Sequence, residues 1–190
     1  MPLAKKIERK YTYEDYLTWP DDERWEIIDG EAYDMSPAPG TKHQKVAARL
    51  YSRLEKAFEK SSCTVFIAPT DVVVSEYDVV QPDVLVVCDA KKITEQNIQG
   101  APDLAVEVLS ANTALKDKRG KKSLYEKAGV REYVIVDPSE LYVERFYLAE
   151  DGLYGHPDIF GAEEVMKLKA FEDVQIPLWE VFETAPPEED

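Results

Sequence analysis

The spacing of apolar positions changes along this chain, and each change marks a different element. TYEDYLTWP, residues 12–20, predicts a short helix that Thr12 caps and Pro20 ends. WEIIDGEAYDM, residues 25–35, places Asp29-Gly30 between two apolar runs, the pattern of a hairpin with a two-residue turn. SPAPGT carries two prolines and a glycine and cannot be helical. From about Thr41 to Lys60, Val46, Ala47, Leu50, Tyr51, Leu54, Ala57 and Phe58 recur at intervals of three and four. That is the stripe of an amphipathic helix.

The period then becomes that of strands. CTVFIA and DVVVS predict strands, and DVLVVCD (83–89) and DLAVEVL (103–109) are near-continuous apolar runs, as expected of strands covered on both faces. A second long helix is expected from Lys116 to Ala128, ending at Gly129 as its C′ residue. REYVIVDP is a strand stopped by Pro138, and LYVERFYL alternates to give the next. The chain to Phe182 reads as short strands and turns, followed by an acidic, disordered tail over 183–190. Helix, strands, helix, strands, without repeats or a linker, imply one α/β domain over 1–182 around a mixed sheet.

Composition narrows the partners. A chain of 190 residues with 44% hydrophobic and 32% charged positions suits a single soluble domain. No apolar run is long enough for a membrane span, and the N-terminal lysines precede no apolar segment of the kind a secretory signal needs. Cys63 and Cys88 have no metal-like spacing and are expected as reduced thiols of a cytoplasmic protein. The net charge of −15 argues against gripping nucleic acid by bulk electrostatics. It leaves room for a local basic surface, and KDKRGKK (116–122) is the dense cationic run.

Candidate chemistry starts with a misplaced charge. Glu107 stands inside DLAVEVLS, where an ionised carboxylate is costly unless paired. Asp83 opens another strand after Gln81-Pro82. If those strands are neighbours, the two carboxylates form a pair of hard oxygen ligands that suits Mg²⁺ or Mn²⁺; otherwise Asp83 caps a turn and Glu107 pairs with a lysine. On the second helix, Lys121 falls on the stripe of Leu124, Tyr125 and Ala128, with Asp117 four residues before it on the same face. Lys121 is therefore either the structural partner of Glu107 or a catalytic lysine beside a metal. His43 begins the stripe of the first long helix, where a lone histidine is more often a packing residue. Glu26 and Glu31 flank the tight turn, where they can simply be solvated strand positions.

The segments WEIIDGE, MSPAPGTKHQKV, QPDVLVV, APDLAVEVLSANT and DKRGKKSLYEKAGVREYVIVDP, in this order, resemble the Uma-type restriction endonucleases, a branch of the PD-(D/E)XK nuclease superfamily. The resemblance covers about Tyr13 to Phe182. It implies a restriction-endonuclease-like core, a central mixed sheet flanked by helices, here with extra antiparallel strands. It further implies that Asp83 and Glu107 bind the metal, with the Val108 carbonyl as a third ligand. Leu109 stands where the superfamily has its lysine, and the pattern DxxxKxxxY at Asp117, Lys121 and Tyr125 makes Lys121 the migrated lysine. Glu26, Glu31 and His43 match early polar positions of the family, and Ala111 replaces a proline common after the serine.

The activity implied is Mg²⁺- or Mn²⁺-assisted hydrolysis of DNA by a cytoplasmic protein, with a homodimer expected from the superfamily. The alternative is a catalytically degenerate member that keeps the fold as a binding or assembly module. A further reading is a structural dimer using the aromatics Tyr142, Phe146, Tyr147 and Tyr154, although tyrosines are equally ordinary core residues.

Overall fold

The structure is a computed structural model describing residues 9–20, 22–110 and 120–188. Helix α1 (Tyr13–Tyr16) is shorter than its pattern implied. The Thr12 hydroxyl accepts from the Asp15 amide while the Asp15 carboxylate accepts from the Thr12 amide, a reciprocal cap. Strands β1 (Trp25–Ile28) and β2 (Glu31–Asp34) form the expected hairpin. Asp29 and Gly30 turn it at φ of 49° and 78°, the left-handed pair that a two-residue hairpin turn requires. Helix α2 (Thr41–Phe58) buries Val46, Ala47, Leu50, Leu54 and Phe58 along the predicted stripe.

The next strands are β3 (Thr64–Ile67), β4 (Val72–Ser75), β5 (Asp78–Val80), β6 (Val84–Val87), β7 (Ile98–Gln99) and β8 (Leu104–Val108). Strands β5 and β7 have three and two residues, too few for a period to show. Helix α3 (Lys122–Ala128) is entered through a π-type turn at Gly120 and Lys121 and ends at Gly129, φ 80°. The beginning of that predicted helix, Asp117 included, lies outside the described residues. The strands β9 (Glu132–Asp137), β10 (Tyr142–Tyr147), β11 (Asp158–Gly161), β12 (Val165–Lys167) and β13 (Gln175–Pro177) follow. A final helix, α4 (Leu178–Phe182), stands where only strands and turns were expected. It follows Pro177 and buries Leu178 and Val181, one short turn that leaves little periodic trace.

Six strands form a mixed sheet in the order β11-β10-β9-β8-β6-β3, in which β8 and β9 run parallel and the other pairs antiparallel. Five more make a second sheet, β2-β1-β5-β4-β7. Alternation along the central strands sorts their side chains into two layers. Val84, Val86, Leu104, Val106 and Val108 pack against α2 and α4. Leu85, Val87, Ala105 and Leu109 pack on the other side with Leu124 and Tyr125 of α3 and with Val72 and Val80 of the second sheet. Phe146 and Tyr154 belong to that layer, so these two of the C-terminal aromatics serve packing. Among the described residues no helix is long and apolar enough to cross a membrane.

One expectation is corrected. Cys63 and Cys88 are not free thiols but a disulfide. The β3–β6 register sets Thr64 opposite Val87, so the next pair outward is Cys63 with Cys88, their Cα atoms 3.9 Å apart. A separation of 25 residues hides this; the strand register creates it. A stable disulfide also removes the reduced-thiol argument for a cytoplasmic location.

Candidate functional site

The register of β6 on β8 decides how the carboxylates meet. Val84 lies opposite Val106, so one step further places Asp83 opposite Glu107. Glu107 alternates with the layer that faces α2 and so points toward α3, where Lys121 and Tyr125 meet it. Asp83, just before β6, is instead met by His43 of α2. The backbone ties them as well, because the Val108 amide donates to Asp83 Oδ2 at 2.8 Å.

Lys121 answers the charge of Glu107. Its ammonium is 2.9 Å from Glu107 Oε1 and 2.7 Å from Glu26 Oε1. All three side chains are buried, Lys121 and Glu107 at 1% and 4% exposure. Each ion loses several kcal/mol of hydration at such a depth, and only short, well-formed contacts offset the loss. Further donors share the load. The Tyr125 hydroxyl donates to Glu107 Oε1 at 2.8 Å, and the Gln81 amide donates to Glu26 Oε1 at 2.9 Å. Burial, and then the charge of Glu107, push the Tyr125 phenol well above its ordinary value, so it stays protonated and donating at any physiological pH.

His43, in the first turn of α2, brings Nε2 to 3.1 Å from Asp83 Oδ2. When Nε2 donates to that carboxylate, the imidazole proton sits there. Its Nδ1 is buried without a hydrogen-bond partner. Asp83 is 17% exposed, and its Oδ1 meets no donor among the described residues. Asp83, Glu107, Val108, Lys121 and His43 all line one cavity of about 720 Å³, rimmed by the Ser36–Gly40 loop.

The donor chemistry fits a hard divalent cation. Asp83 and Glu107 offer carboxylate oxygens from opposed positions, and Val108 lies on the same wall. Among the described residues no three His, Cys, Asp or Glu side chains close into a complete shell. Two carboxylates alone would leave most of a cation's coordination positions to water.

The structure thus brings together Asp83, Glu107, Val108, Lys121, Tyr125, His43 and Glu26. Glu26 is fully buried rather than solvated. Glu31 is not brought in: it is exposed on β2, opposite Ile28, and accepts from the Tyr33 hydroxyl at 2.7 Å. Asp117 lies outside the described residues. Two polar residues of the cavity were missed as candidates, Arg24 and Gln81. The Gln81 side chain accepts from Arg24 Nε and Nη2 at 3.1 and 2.7 Å. The only trace of this in the sequence is a glutamine placed directly before Pro82-Asp83.

A model of the Uma2 family, described as "Putative restriction endonuclease", matches residues 13–178. An uncharacterized protein from Synechocystis sp. is 28% identical over 148 residues, spanning 75% of this chain and 77% of its own. Among solved structures, a "putative nuclease belonging to DUF820" from Anabaena variabilis superposes with a TM-score of 0.75. It covers 90% of this chain and 97% of its own at 18% identity, a likeness of fold.

Proposed function

Since the chain belongs to the Uma2 family of restriction-endonuclease-like proteins, we propose that it is a Mg²⁺- or Mn²⁺-dependent endonuclease that hydrolyses phosphodiester bonds of DNA. The observation that carries this reading is the opposition of Asp83 and Glu107 on one cavity wall, with Lys121 on Glu107. Asp83 and Glu107 would hold the cation, with the Val108 carbonyl beside them. Such a cation, when bound, supplies a water of lowered pKa and positive charge for the scissile phosphate.

The chain's own groups do the rest. Lys121 and Tyr125 fix the Glu107 carboxylate through its Oε1. The Val108 amide and His43 fix Asp83 through its Oδ2, which directs Oδ1 to the ligand side. Lys121 also brings the positive charge that an in-strand lysine would have brought at Leu109, now a buried core residue. The purified protein is expected to cleave DNA with Mg²⁺ or Mn²⁺ and to lose cleavage in Asp83→Ala and Glu107→Ala. Cleavage that survives both changes sinks the assignment.

The net charge of −15 and an ammonium already bound by two carboxylates favour a second reading, a nuclease fold that binds without turnover. Calorimetric Mn²⁺ binding that disappears in Asp83→Ala, without cleavage of any substrate, would select it. The superfamily likeness carries a homodimer into the proposal, and light scattering checks it.

A further inference from the structure

A second cavity, of about 870 Å³, adjoins the first. Its walls are aromatic: Tyr16, Trp19, Trp25 and Phe66, all half-buried. The two cavities share Arg24, Pro69 and Gln81 in their linings. The rings of Tyr16 and Trp25 lie 5.5 Å from that of Trp19, inclined at 57° and 66°. Trp25 meets Trp19 edge to face and Tyr16 meets it at a tilt, contacts that hold the aromatic walls in place before any ligand arrives.

Arg24 stands between the cavities and is held from behind. Its Nε and Nη2 both donate to Gln81 Oε1. Gln81 Nε2 in turn donates to Asp71 Oδ1 at 2.8 Å, and the Tyr16 hydroxyl donates to the same carboxylate at 3.0 Å. Among the described residues no carboxylate pairs with Arg24. A guanidinium has five N–H donors, and its hydrogen-bond partner among the described residues is a neutral amide oxygen. Lys121, by contrast, already meets two carboxylates.

We propose that the aromatic cavity takes an unstacked nucleobase of the substrate strand, while Arg24 binds the phosphate that joins this nucleotide to the one in the catalytic cavity. The inference rests on the nuclease reading above and names its substrate class: a strand with unpaired nucleotides, either single-stranded or locally opened. A base offers its faces to aromatic side chains only when it has left the duplex stack. Gln81, Asn97 and Asp71 line the same cavity but are bonded to their neighbours, so the cavity would take the face of a base rather than read its edge. The mouth carries Asp22, Glu23 and Glu95. Those charges repel phosphates but not a neutral base, so the cavity itself favours the base over the backbone.

The test uses the full chain in buffer with EDTA, so that binding is separated from cleavage. Fluorescence anisotropy follows a short labelled single strand, an abasic strand with the same phosphates, and the corresponding duplex. The wild type is expected to bind the single strand on the order of tenfold to a hundredfold more tightly than the abasic strand. Trp19→Ala should erase that advantage, and Trp19→Phe should keep most of it. Arg24→Ala should weaken both strands. Thermal melts establish that each variant is folded, and the phenylalanine variant preserves the packing.

Equal binding of single and abasic strands by the wild type, or an unchanged advantage in folded Trp19→Ala, overturns the inference. So does a tryptophan fluorescence response to tetramethylammonium with none to oligonucleotides, which would make the cavity an organic-cation site. If those results accompany Mn²⁺-dependent cleavage, the nuclease reading stands and only the base pocket falls. If no nucleic acid is bound or cleaved, both fall.

Discussion

Lys121→Met isolates the ion cluster at the centre of the site. Methionine fills most of the volume of the lysine stem and deletes the charge. Glu26 and Glu107, buried and within 2.7 and 2.9 Å of the ammonium, then lose their shared cation. Breaking a buried ion pair from one side costs about 3–5 kcal/mol. Here the carboxylates keep Tyr125 and the Gln81 amide as donors, which sets the expectation at the lower end, about 3 kcal/mol. With a urea dependence of about 2 kcal/mol per molar, the unfolding midpoint should fall by about 1.5 M. The gap should narrow as pH is lowered, because a buried carboxylate without its cation takes up a proton readily. Urea titrations of both proteins at neutral and acidic pH measure this. A midpoint within about 0.3 M of the wild type at neutral pH, or a gap that does not change with pH, would refute the burial argument.

Two further outcomes test the rest of the fold. Cys63→Ser with Cys88→Ser opens a loop of 25 residues and should cost about 3 kcal/mol on the loop-entropy model; denaturant midpoints with and without reductant measure it, and equal midpoints contradict the pairing. Glu132 is buried and accepts from the Lys169 and Ala170 amides at 2.9 Å each. Burial holds its carboxyl above the ordinary value of 4.5, so the folded state binds the proton more tightly than the unfolded chain. Its contribution is therefore full below pH 4.5 and is lost as pH rises through the raised value. The stability difference between wild type and Glu132→Gln should accordingly shift against the wild type on raising pH from 4 to about 7; a difference that stays flat contradicts this.

Much of the site was legible because period and burial point the same way. The runs around Asp83 and Glu107 read as doubly covered strands, and both are interior strands of the six-stranded sheet. A lysine on the apolar stripe of the following helix meets the glutamate inside the preceding strand. What local pattern could not give was register. Cys63 and Cys88 are opposite only because β3 pairs with β6 at Thr64 and Val87. Glu26 and Glu31 look alike beside the turn, yet the packing of the second sheet buries one and leaves the other in solvent. Arg24 carried no signal either, since its importance comes from standing between two cavities built by distant segments.

The most direct measurement is a cleavage assay on labelled DNA, single-stranded and duplex, with Mg²⁺, with Mn²⁺ and with EDTA. Wild type, Asp83→Ala and Glu107→Ala are run side by side, with melts to confirm folding. The account expects cleavage only with a divalent cation and only in the wild type, lowered at least a hundredfold by either change, on the order of the loss seen when one electrostatic catalytic group is removed. Cleavage that persists in EDTA, or in both folded variants, would contradict it.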